Sequence, residues 1–566
     1  MKWTAVLGAA VVAAARVVFA QNDPAPLAVD ITVDAGGGGV PLNPIWRFCG
    51  YDEPNYTYGA LGKKVVKELA EASAPLAPAF FRTHNLLTTG DGTPRLKWGS
   101  TNAYTEDPAG KPVYSWTILD KIFDTYHDLG AKPYVEIGFS PEALSSHPEP
   151  YAHNWTLGRG GNLYTGWSYA PRDYDKWRDL IYQWAKHSAE RYGTKEVESW
   201  NWEVWNEPNI GYLHGSNVED YEKIYDYAAD GLKKAVPGAK IGGAETAGPG
   251  GEFQRSFIEH CLNGTNFATG KKGSPLDSIS FHAKGAPINR NGHVRMGIQN
   301  QLRDLQNGFA IAAEREETRK LPIVIGESDP DSCAACASAE GLYPQYGYRN
   351  GTLFAAYTIE QLTRTLDLAQ RQGVNVLGST TWAFTFEDQP IFGGFRQIST
   401  DGIELPVLNV FRMLGKLGKT RLAVKSTGDV GLDTIVQQGV RGEQPDVYAI
   451  AARDEKRVTV IAWNYHDDDV PGQTAEVSLR INGLPADAKN AHLAEWRIDE
   501  THSNAYTAWK KMGSPAKPTD EQHRELETSA QLGQVRSGAA VAVDGGAAEV
   551  KLELPRQAVS LVEISW

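Results

Sequence analysis

The sequence predicts an α/β fold, a (β/α)8 barrel of the TIM type followed by a C-terminal β-sandwich. Two observations carry this prediction. Between about residues 45 and 418, short apolar runs alternate with longer amphipathic runs, and eight such repeats are the pattern of a TIM barrel with long loops. From about residue 419 to residue 566 the chain changes to short alternating strands bounded by Gly, Pro and Asp, which is typical of a sandwich.

Eight apolar runs are the predicted barrel strands. They are Arg47–Cys49, Ala79–Thr83, Pro133–Gly138, Ser199–Trp205, Lys240–Ala244, Ser278–Phe281, Ile323–Gly326 and Val376–Trp382. Helical patterns lie between them, among them Trp116–Leu129, Asp173–Arg191, Val218–Ala235 and Leu353–Gln372. Active sites of such barrels lie at the C-terminal ends of the strands. Polar residues just after each run are therefore the candidates for chemistry.

The C-terminal unit is predicted from five alternating runs and one helical insert. The runs are Val447–Ala452, Val458–Trp463, Ala475–Ile481, Val550–Leu554 and Val559–Ile564. The insert is Thr519–Leu532. In the N-terminal segment of residues 21–44, Leu27–Val33 alternates in the same way. We expect it to pair with the sandwich, which would tie the two ends of the chain together.

The composition excludes several classes of protein. Hydrophobic residues make up 41% and charged residues 22% of the 566 residues, which argues against a disordered chain. The net charge of −13 disfavours nucleic acid and anionic membrane as partners, because both require clustered positive charge. The 16 Trp, 24 Tyr and 17 Phe residues leave carbohydrate binding open, because sugars stack on aromatic rings.

The first 20 residues have the pattern of a secretory signal. Lys2 precedes the apolar run Ala5–Ala15, which is too short to span a bilayer, and Val18 and Ala20 suit cleavage after Ala20. This pattern predicts a secreted protein, extracellular or periplasmic. A retained N-terminal anchor is the alternative.

The four cysteines are too few for a disulfide scaffold. Cys333 and Cys336 form a C-x-x-C pair, and neither a second such pair nor a histidine pair completes a zinc site. We expect a small structural disulfide, with a redox-active pair as the alternative. The run Gly36–Gly39 lacks the Lys-Ser/Thr of a phosphate loop. The sequence thus predicts neither a metal nor a cofactor.

Two glutamates follow predicted strands four and seven. Glu207 stands in Asn206-Glu207-Pro208, and Glu327 directly follows Gly326. Carboxyl groups about 5–5.5 Å apart across a barrel mouth suit retaining glycoside hydrolysis, and about 6.5–9.5 Å suits inversion. The sequence leaves that separation open. Glu203 lies on the same strand face, roughly 13 Å deeper, and is predicted to be structural at the bottom of the barrel.

Further motifs accompany these glutamates. They are Phe81-Arg82-Thr83-His84-Asn85, Gly138-Phe139-Ser140-Pro141-Glu142-Ala143-Leu144, Trp382-Ala383-Phe384-Thr385-Phe386-Glu387-Asp388, Ile498-Asp499-Glu500-Thr501-His502-Ser503-Asn504-Ala505 and Trp509-Lys510-Lys511-Met512-Gly513-Ser514-Pro515. In this order the set resembles the clan A glycoside hydrolases and, within them, glycoside hydrolase family 39, the family of β-xylosidases and α-L-iduronidases. The resemblance covers nearly the whole chain after the signal.

The resemblance implies a role for each candidate residue. It assigns Glu207 as acid/base and Glu327 as nucleophile, with Asn206 on the sugar 2-hydroxyl and Arg82 suited to keep Glu327 ionised. The residues that resemble the family's sugar subsite are His84, His282 and Trp382. Buried histidines and an ordinary core tryptophan are the alternatives. Weaker candidates are Glu387, with Asp388 beside it, and Tyr348.

The predicted function is a retaining exo-β-1,4-xylosidase that releases xylose from the non-reducing end of xylo-oligosaccharides. The alternatives within the family are an α-L-arabinosidase, an α-L-iduronidase or a β-galactosidase, because fold and catalytic pair do not decide the sugar. Lys284 could bind a substrate carboxylate if the substrate were an iduronide. A binding protein that has lost turnover is the alternative from another class. The sequence leaves the oligomeric state open.

Overall fold

The structure, a computed structural model, describes residues 25–154 and 162–566. The predicted signal segment, residues 1–20, lies outside the described residues. None of the helices within the described ranges is both long and apolar enough to cross a membrane.

The described part of the chain contains the predicted barrel of eight parallel strands. We number them β1 to β8: Phe48–Tyr51, Phe80–Thr83, Lys132–Ile137, Asn201–Val204, Lys240–Thr246, Ser278–Lys284, Pro322–Asp329 and Asn375–Ser379. Each strand pairs in parallel with the next in sequence. The ring closes where the amide of Gly50 donates to Thr381 O and the amide of Thr381 donates to Phe48 O, at 2.9 and 3.0 Å. The barrel prediction is confirmed.

A helix follows each barrel strand within the described ranges. These helices are Ala60–Ser73, Thr117–Asp128, Tyr174–Tyr192, Val218–Ala235, Gly251–Asn263, Ile298–Ala313, Thr352–Gln372 and Pro406–Leu414. Val218–Ala235 shows why the sequence forms them. Asn217 and Asp220 form a reciprocal capping box at its start, and Lys233 and Lys234 lie in its last turn, where the helix dipole favours positive charge. Its apolar face is buried against the barrel.

Short elements decorate the barrel loops. The paired segments are Tyr104–Glu106 with Pro112–Tyr114, Tyr151–Asn154 with Asn162–Gly166, Ile288–Arg290 with His293–Arg295, and Phe384–Thr385 with Gln397–Thr400 and Ile403–Glu404. The loop after β7 carries the disulfide Cys333–Cys336, as predicted. Cys49 and Cys261 are buried thiols.

The barrel interior has an apolar floor and a charged layer above it. Phe48, Phe80, Tyr134 and Val324 pack together as one buried cluster. Every second residue of a strand faces the barrel interior. The two layers are therefore two residues apart along a strand: Arg82 lies two positions after Phe80, and Glu136 lies two positions after Tyr134. The charged layer, Arg82, Glu136, Glu203 and Glu245, has no solvent exposure.

The C-terminal unit is a long, mostly antiparallel sheet that folds over a common core. In spatial order its strands are Gly533–Val541, Ala491–Ile498, Val559–Ser565, Arg457–Tyr465, Asp446–Asp454, Thr420–Ser426, Leu27–Asp34, Ala475–Asn482, Ala547–Leu554 and Val543–Asp544. The short strand Val40–Pro41 pairs with Thr420–Ser426. Leu27–Asp34 lies between Thr420–Ser426 and Ala475–Asn482, running parallel to the latter. Buried side chains from both halves of this sheet form one apolar cluster.

The C-terminal part has more helices than the one insert that was predicted. Asp520–Ala530 corresponds to the prediction, and its described neighbours include Leu432–Gln438 and Ala505–Lys511. These last two are only seven residues long, too short to leave a clear period in the sequence. They and the insert lie toward the barrel: Asn409 donates to Ala530 O at 2.7 Å, and Arg303 donates to Val436 O at 2.9 Å.

Candidate active site

The guanidinium of Arg82 organises the charged layer of the barrel. It donates to Asn206 Oδ1 at 3.1 Å, forms an ion pair with Glu136 Oε2 at 2.9 Å, and contacts Glu203 through Nε. Glu327 Oε1 lies 3.4 Å away and Glu245 Oε2 lies 3.6 Å away. Burial alone would lower the pKa of Arg82, but the surrounding carboxylates raise it well above its usual value. One permanent cation therefore offsets several buried carboxyl groups.

Glu203 does not lie at the bottom of the barrel, so the predicted depth is wrong. Its contact with Arg82 places it in the layer directly beneath Glu327, above the apolar floor. The estimate of depth assumed an extended strand through to Glu207, whereas β4 ends at Val204 and Trp205 adopts a positive φ of 72°. Burial, with the neighbouring carboxylate of Glu245, raises the pKa of Glu203 well above its usual range, although Arg82 opposes the shift.

Glu207 stands on a tight turn at the end of β4. Its φ is 45°, in the left-handed region, and its amide donates to Glu245 O at 2.9 Å, which holds the turn against β5. The side chain is 16% exposed, and its Oε1 lies 2.9 Å from Nδ1 of His282. Glu207 is thus presented to the barrel mouth and contacts the imidazole of His282.

Glu327 lies within β7, surrounded by cations. Its contacts are Lys284 Nζ at 2.5 Å, His84 Nε2 at 3.3 Å, Arg82 Nη1 at 3.4 Å and His282 Nδ1 at 3.9 Å. Burial would raise the pKa of this carboxyl, but Lys284, His282 and His84 outweigh burial and hold the pKa well below its usual range. Glu327 is therefore a carboxylate at neutral pH, the form that a nucleophile needs.

His282 is close to both glutamates. Its Nδ1 lies 2.9 Å from Glu207 Oε1 and 3.9 Å from Glu327 Oε1, so those two oxygens are at most about 6.8 Å apart. This limit applies to one pair of oxygens, and it admits the separation of about 5–5.5 Å between carboxyl groups that suits a retaining glycosidase.

The remaining polar candidates of the barrel mouth surround Glu327. Arg82 donates to Asn206 Oδ1, so the amide NH2 of Asn206 is left to donate elsewhere. His84 contacts Glu136 at 2.7 Å and Asp52 at 3.3 Å. Although burial lowers the pKa of His84, Glu136 and Glu327 raise it to about 9. His84 is therefore a cation facing the Glu327 carboxylate.

Trp382 forms an apolar wall of the site. It is 2% exposed, its ring centroid lies 4.4 Å from that of His84, and the Arg82 guanidinium lies 5.1 Å from its ring. Its amide donates to Asp329 Oδ1 at 2.7 Å. The backbone amide and the ring contacts thus hold Trp382 beside the residues that contact Glu327.

The structure does not bring Glu387 and Tyr348 to the glutamate pair. Glu387 packs beside Gly59 in the loop after β1, and among the described contacts none joins it to Glu207 or Glu327. Burial and Asp388 raise its pKa. Tyr348 is 1% exposed, and its hydroxyl donates to Asp331 beneath the loop after β7. We therefore regard Tyr348 as a support for that loop, not as a sugar ligand.

Sequence reasoning missed three groups at this site. Glu245 is the penultimate residue of β5 and contacts His282 at 3.0 Å. Lys97 contacts Asp52, and Glu327 and Glu207 influence its pKa, which burial lowers to about 7. Arg396 lies 3.6 Å from Asp329 and donates to Trp382 O at 2.9 Å. The rule that found Glu207 and Glu327, a carboxylate at a strand's C-terminal end, would also have found Glu245. Lys97 and Arg396 come from loops and left no such signal.

Comparisons with known proteins found a matching family model, similar sequences and a similar solved structure. The family model for glycosyl hydrolases family 39 matches residues 29–547. A β-xylosidase of Geobacillus stearothermophilus is 26% identical, over 92% of this chain and 92% of that protein. An α-L-iduronidase of Mus musculus is 27% identical, over 62% of this chain and 56% of that protein. The fold is similar to the crystal structure of a monomeric β-xylosidase from Caulobacter crescentus CB15, with a TM-score of 0.71, 21% identity, and coverage of 95% of this chain and 99% of that one.

Proposed function

This chain belongs to glycosyl hydrolases family 39, and on that premise we propose that it is a retaining β-1,4-xylosidase that releases xylose from the non-reducing ends of xylo-oligosaccharides. The observation that carries the proposal is the pair Glu207 and Glu327, both in reach of one imidazole nitrogen. The limit on the distance between their oxygens is compatible with direct attack by a carboxylate, the route of a retaining glycosidase.

The two carboxyl groups suit the two roles of double displacement. Glu327, kept ionised by its cations, would attack the anomeric carbon while Glu207 gives its proton to the glycosidic oxygen. The bond to the leaving sugar breaks and a xylosyl ester of Glu327 forms. Glu207 would then remove a proton from water, which attacks the ester and returns the free enzyme. Two inversions at one carbon leave the β configuration unchanged.

The neighbours of the pair support the same chemistry. The amide NH2 of Asn206 is oriented by Arg82 and is suited to donate to the sugar 2-hydroxyl, a contact that strengthens in the oxocarbenium-like transition state. Trp382 offers an apolar face beside Glu327's partners, against which the face of a pyranose ring could pack.

Lys284 keeps an α-L-iduronidase as a second candidate. Its side chain is 16% exposed, and a lysine at this position could pair with a substrate carboxylate. It already lies 2.5 Å from Glu327 and 2.6 Å from Asp329, however, and these carboxylates satisfy its charge without a ligand. We favour the xyloside for that reason.

A panel of nitrophenyl glycosides tests the proposal. The purified protein is assayed with β-xyloside, α-L-arabinosides, β-galactoside, β-glucoside and an α-L-iduronide analogue. We expect release from the β-xyloside well above that from the others, followed by xylose release from xylo-oligosaccharides. Faster cleavage of the iduronide analogue than of the β-xyloside would favour the second candidate, an α-L-iduronidase. If the folded protein released nitrophenol from none of these glycosides, both candidate functions would be contradicted.

A further inference from the structure

Glu245 is a buried carboxyl group that no step above uses. It sits at a register shift in the pairing of β5 with β6, with a φ of 49°, and it has no solvent exposure. Tyr134 donates its hydroxyl to Oε1 at 2.6 Å, and Nε2 of His282 lies 3.0 Å from Oε2. Since protein atoms enclose the side chain, Glu245 cannot touch substrate and can act only through its neighbours.

The barrel leaves space for this carboxylate at Gly326. A Cβ atom on Gly326 would fall 1.7 Å from Glu245 Oε2. Gly326 directly precedes Glu327 in β7, so the absence of a side chain there lets Glu245 extend beneath the catalytic pair. No larger residue could occupy position 326 without displacing Glu245.

Glu245 is ionised, and its charge determines which nitrogen of His282 carries a proton. Burial would raise the pKa of Glu245, but Arg82, Glu203 and His282 lower it well below normal. An unprotonated Nε2 would place its lone pair against a carboxylate 3.0 Å away, so Nε2 carries hydrogen in both charge states of the ring. Nδ1 is then the nitrogen that gains and loses a proton.

His282 and Glu207 consequently hold one exchangeable proton between them. Nδ1 and Glu207 Oε1 are 2.9 Å apart, with the proton on either atom. With the proton on Glu207, the pair is ready for general acid catalysis.

We propose that Glu245 is a positioning residue whose negative charge, acting through His282, retains on the His282–Glu207 pair the proton that Glu207 delivers to the leaving group. This inference rests on the proposed function, since it assumes that Glu207 is the acid. The direction of this effect is the same whether the proton is on His282 Nδ1 or on Glu207 Oε1, because a nearby anion stabilises the protonated pair in both arrangements.

Other charges face the same pair and act alongside Glu245. On the barrel strands these are Arg82, Glu136, Glu203, Lys284 and Glu327. At the mouth, Lys97 influences Glu207, and the phenols of Tyr151 and Tyr212 stay neutral because burial raises their pKa values. All of these groups remain when Glu245 alone is changed, so a change in the proton affinity of the pair reports on Glu245.

The test is Glu245→Gln, which removes the charge and keeps the shape. We would measure kcat/KM against pH with xylobiose, whose leaving hydroxyl needs a proton, and with 2,4-dinitrophenyl β-xyloside, whose leaving group does not. We expect the alkaline limb for xylobiose to move to lower pH by about one unit. On the dinitrophenyl substrate, the plateau should change by no more than about twofold. An unmoved limb, or an equal loss on both substrates at every pH, would overturn the proposal.

Two further variants separate charge from structure. Glu222→Gln is the matched control, because Glu222 is also buried and lies 3.5 Å from a histidine, His260, but on the outer helix Val218–Ala235. Its alkaline limb should stay where it is. Glu245→Asp restores the charge, and its limb should return toward that of the wild type even if its rate is lower.

A further measurement decides the matter if Glu245→Gln does not fold. In ¹⁵N-histidine NMR spectra of the wild type, His282, assigned by its loss in His282→Gln, should carry hydrogen on Nε2 at every pH. A neutral ring protonated on Nδ1 would overturn the proposal. This readout needs no turnover, so it stands apart from the proposed function, which fails if the wild type cleaves no xyloside.

Discussion

At the scale of single residues, the cations around Glu327 decide whether that carboxyl can serve as a nucleophile. A buried carboxyl alone would be protonated at neutral pH. Lys284, His282 and His84 reverse that preference, with Lys284 contributing most among them. Arg82, the residue predicted for this task, also contacts Glu327, but at 3.4 Å against 2.5 Å for Lys284.

Lys284→Met should therefore shift the acid limb of activity. Removing the ammonium raises the pKa of Glu327, so a higher pH is needed to ionise the nucleophile. We expect the acid limb of kcat/KM for dinitrophenyl β-xyloside to move up by about one pH unit or more. Lys233→Met, which removes a lysine paired with Asp277 outside the barrel, is the control and should leave the profile in place. An acid limb that does not move in Lys284→Met would show that the other cations are sufficient to keep Glu327 ionised.

Azide rescue distinguishes the two carboxyl roles. In Glu327→Ala, azide can enter the face that the nucleophile vacates, and the product should be the α-xylosyl azide. In Glu207→Ala, azide should attack the xylosyl ester instead and give the β-xylosyl azide. We expect turnover of xylobiose to fall by roughly 10²–10⁴-fold without the acid. Proton NMR of the azides reads the configuration. Exchanged configurations, or Glu203→Ala being more damaging to chemistry than Glu207→Ala in a folded protein, would refute the assignment.

At the scale of elements, the barrel strands position the site through their irregularities. β6 and β7 run further than predicted, to Lys284 and Asp329, and their register shifts between Phe281 and His282. The shift places His282 opposite Glu327 and Lys284 opposite Asp329. A local shift in register re-aims side chains without ending the strand, which is why these residues act from within the sheet.

Gly50 in β1 illustrates the same dependence on close strand packing. A Cβ atom there would lie 2.3 Å from the Trp382 ring. Gly50→Ala should displace the indole, raise KM for the β-xyloside several-fold, and lower the melting temperature modestly, since overpacking costs about 1–3 kcal/mol. Steady-state kinetics and thermal unfolding measure both effects. Gly38→Ala, whose Cβ would meet nothing within 4 Å, is the control and should behave as wild type. An unchanged KM in Gly50→Ala would argue that Trp382 does not contact the sugar.

At the scale of the whole molecule, buried charges join the barrel to the C-terminal sheet. Arg364, on the helix Thr352–Gln372, donates to Asp446 and Asp429 at 2.8 Å each. Trp463 of the sheet donates its indole N–H to Glu360 of the same helix. These contacts, together with Leu27–Asp34 in the middle of the sheet, connect three distant parts of the chain.

Arg364→Met should therefore destabilise the protein strongly. Removing one partner of a buried ion pair costs about 3–5 kcal/mol, because the remaining carboxylates stay buried without compensation. Arg371→Met is the matched control, because Arg371 lies on the same helix and pairs with Asp433 at 2.5 Å, but in solvent. Exposed pairs contribute at most about 1 kcal/mol. Calorimetry should show a large loss of melting temperature for Arg364→Met alone. Equal losses in both variants would contradict this account of the interface.

Several features of the site could be anticipated from the sequence because they are local. The apolar runs predict the barrel strands, and the position of Glu207 and Glu327 at strand ends predicts that they face one opening. The depth of Glu203 could not be predicted, because the turn at Trp205 and Glu207 departs from extended geometry. Tyr348 illustrates the reverse limit, since its hydroxyl turns to Asp331 only in the folded loop.

The sequence by itself determined the order and type of most elements, the two glutamates, and the family, because periodicity and motifs are properties of neighbouring residues along the chain. Only the tertiary structure decided that Lys284 lies on Glu327, that His282 joins Glu207 to Glu245, and that Gly326 leaves space for Glu245. These contacts join residues from different strands, and strand register and side-chain packing set them. Neither strand register nor side-chain packing between strands produces a periodicity or a motif in the sequence.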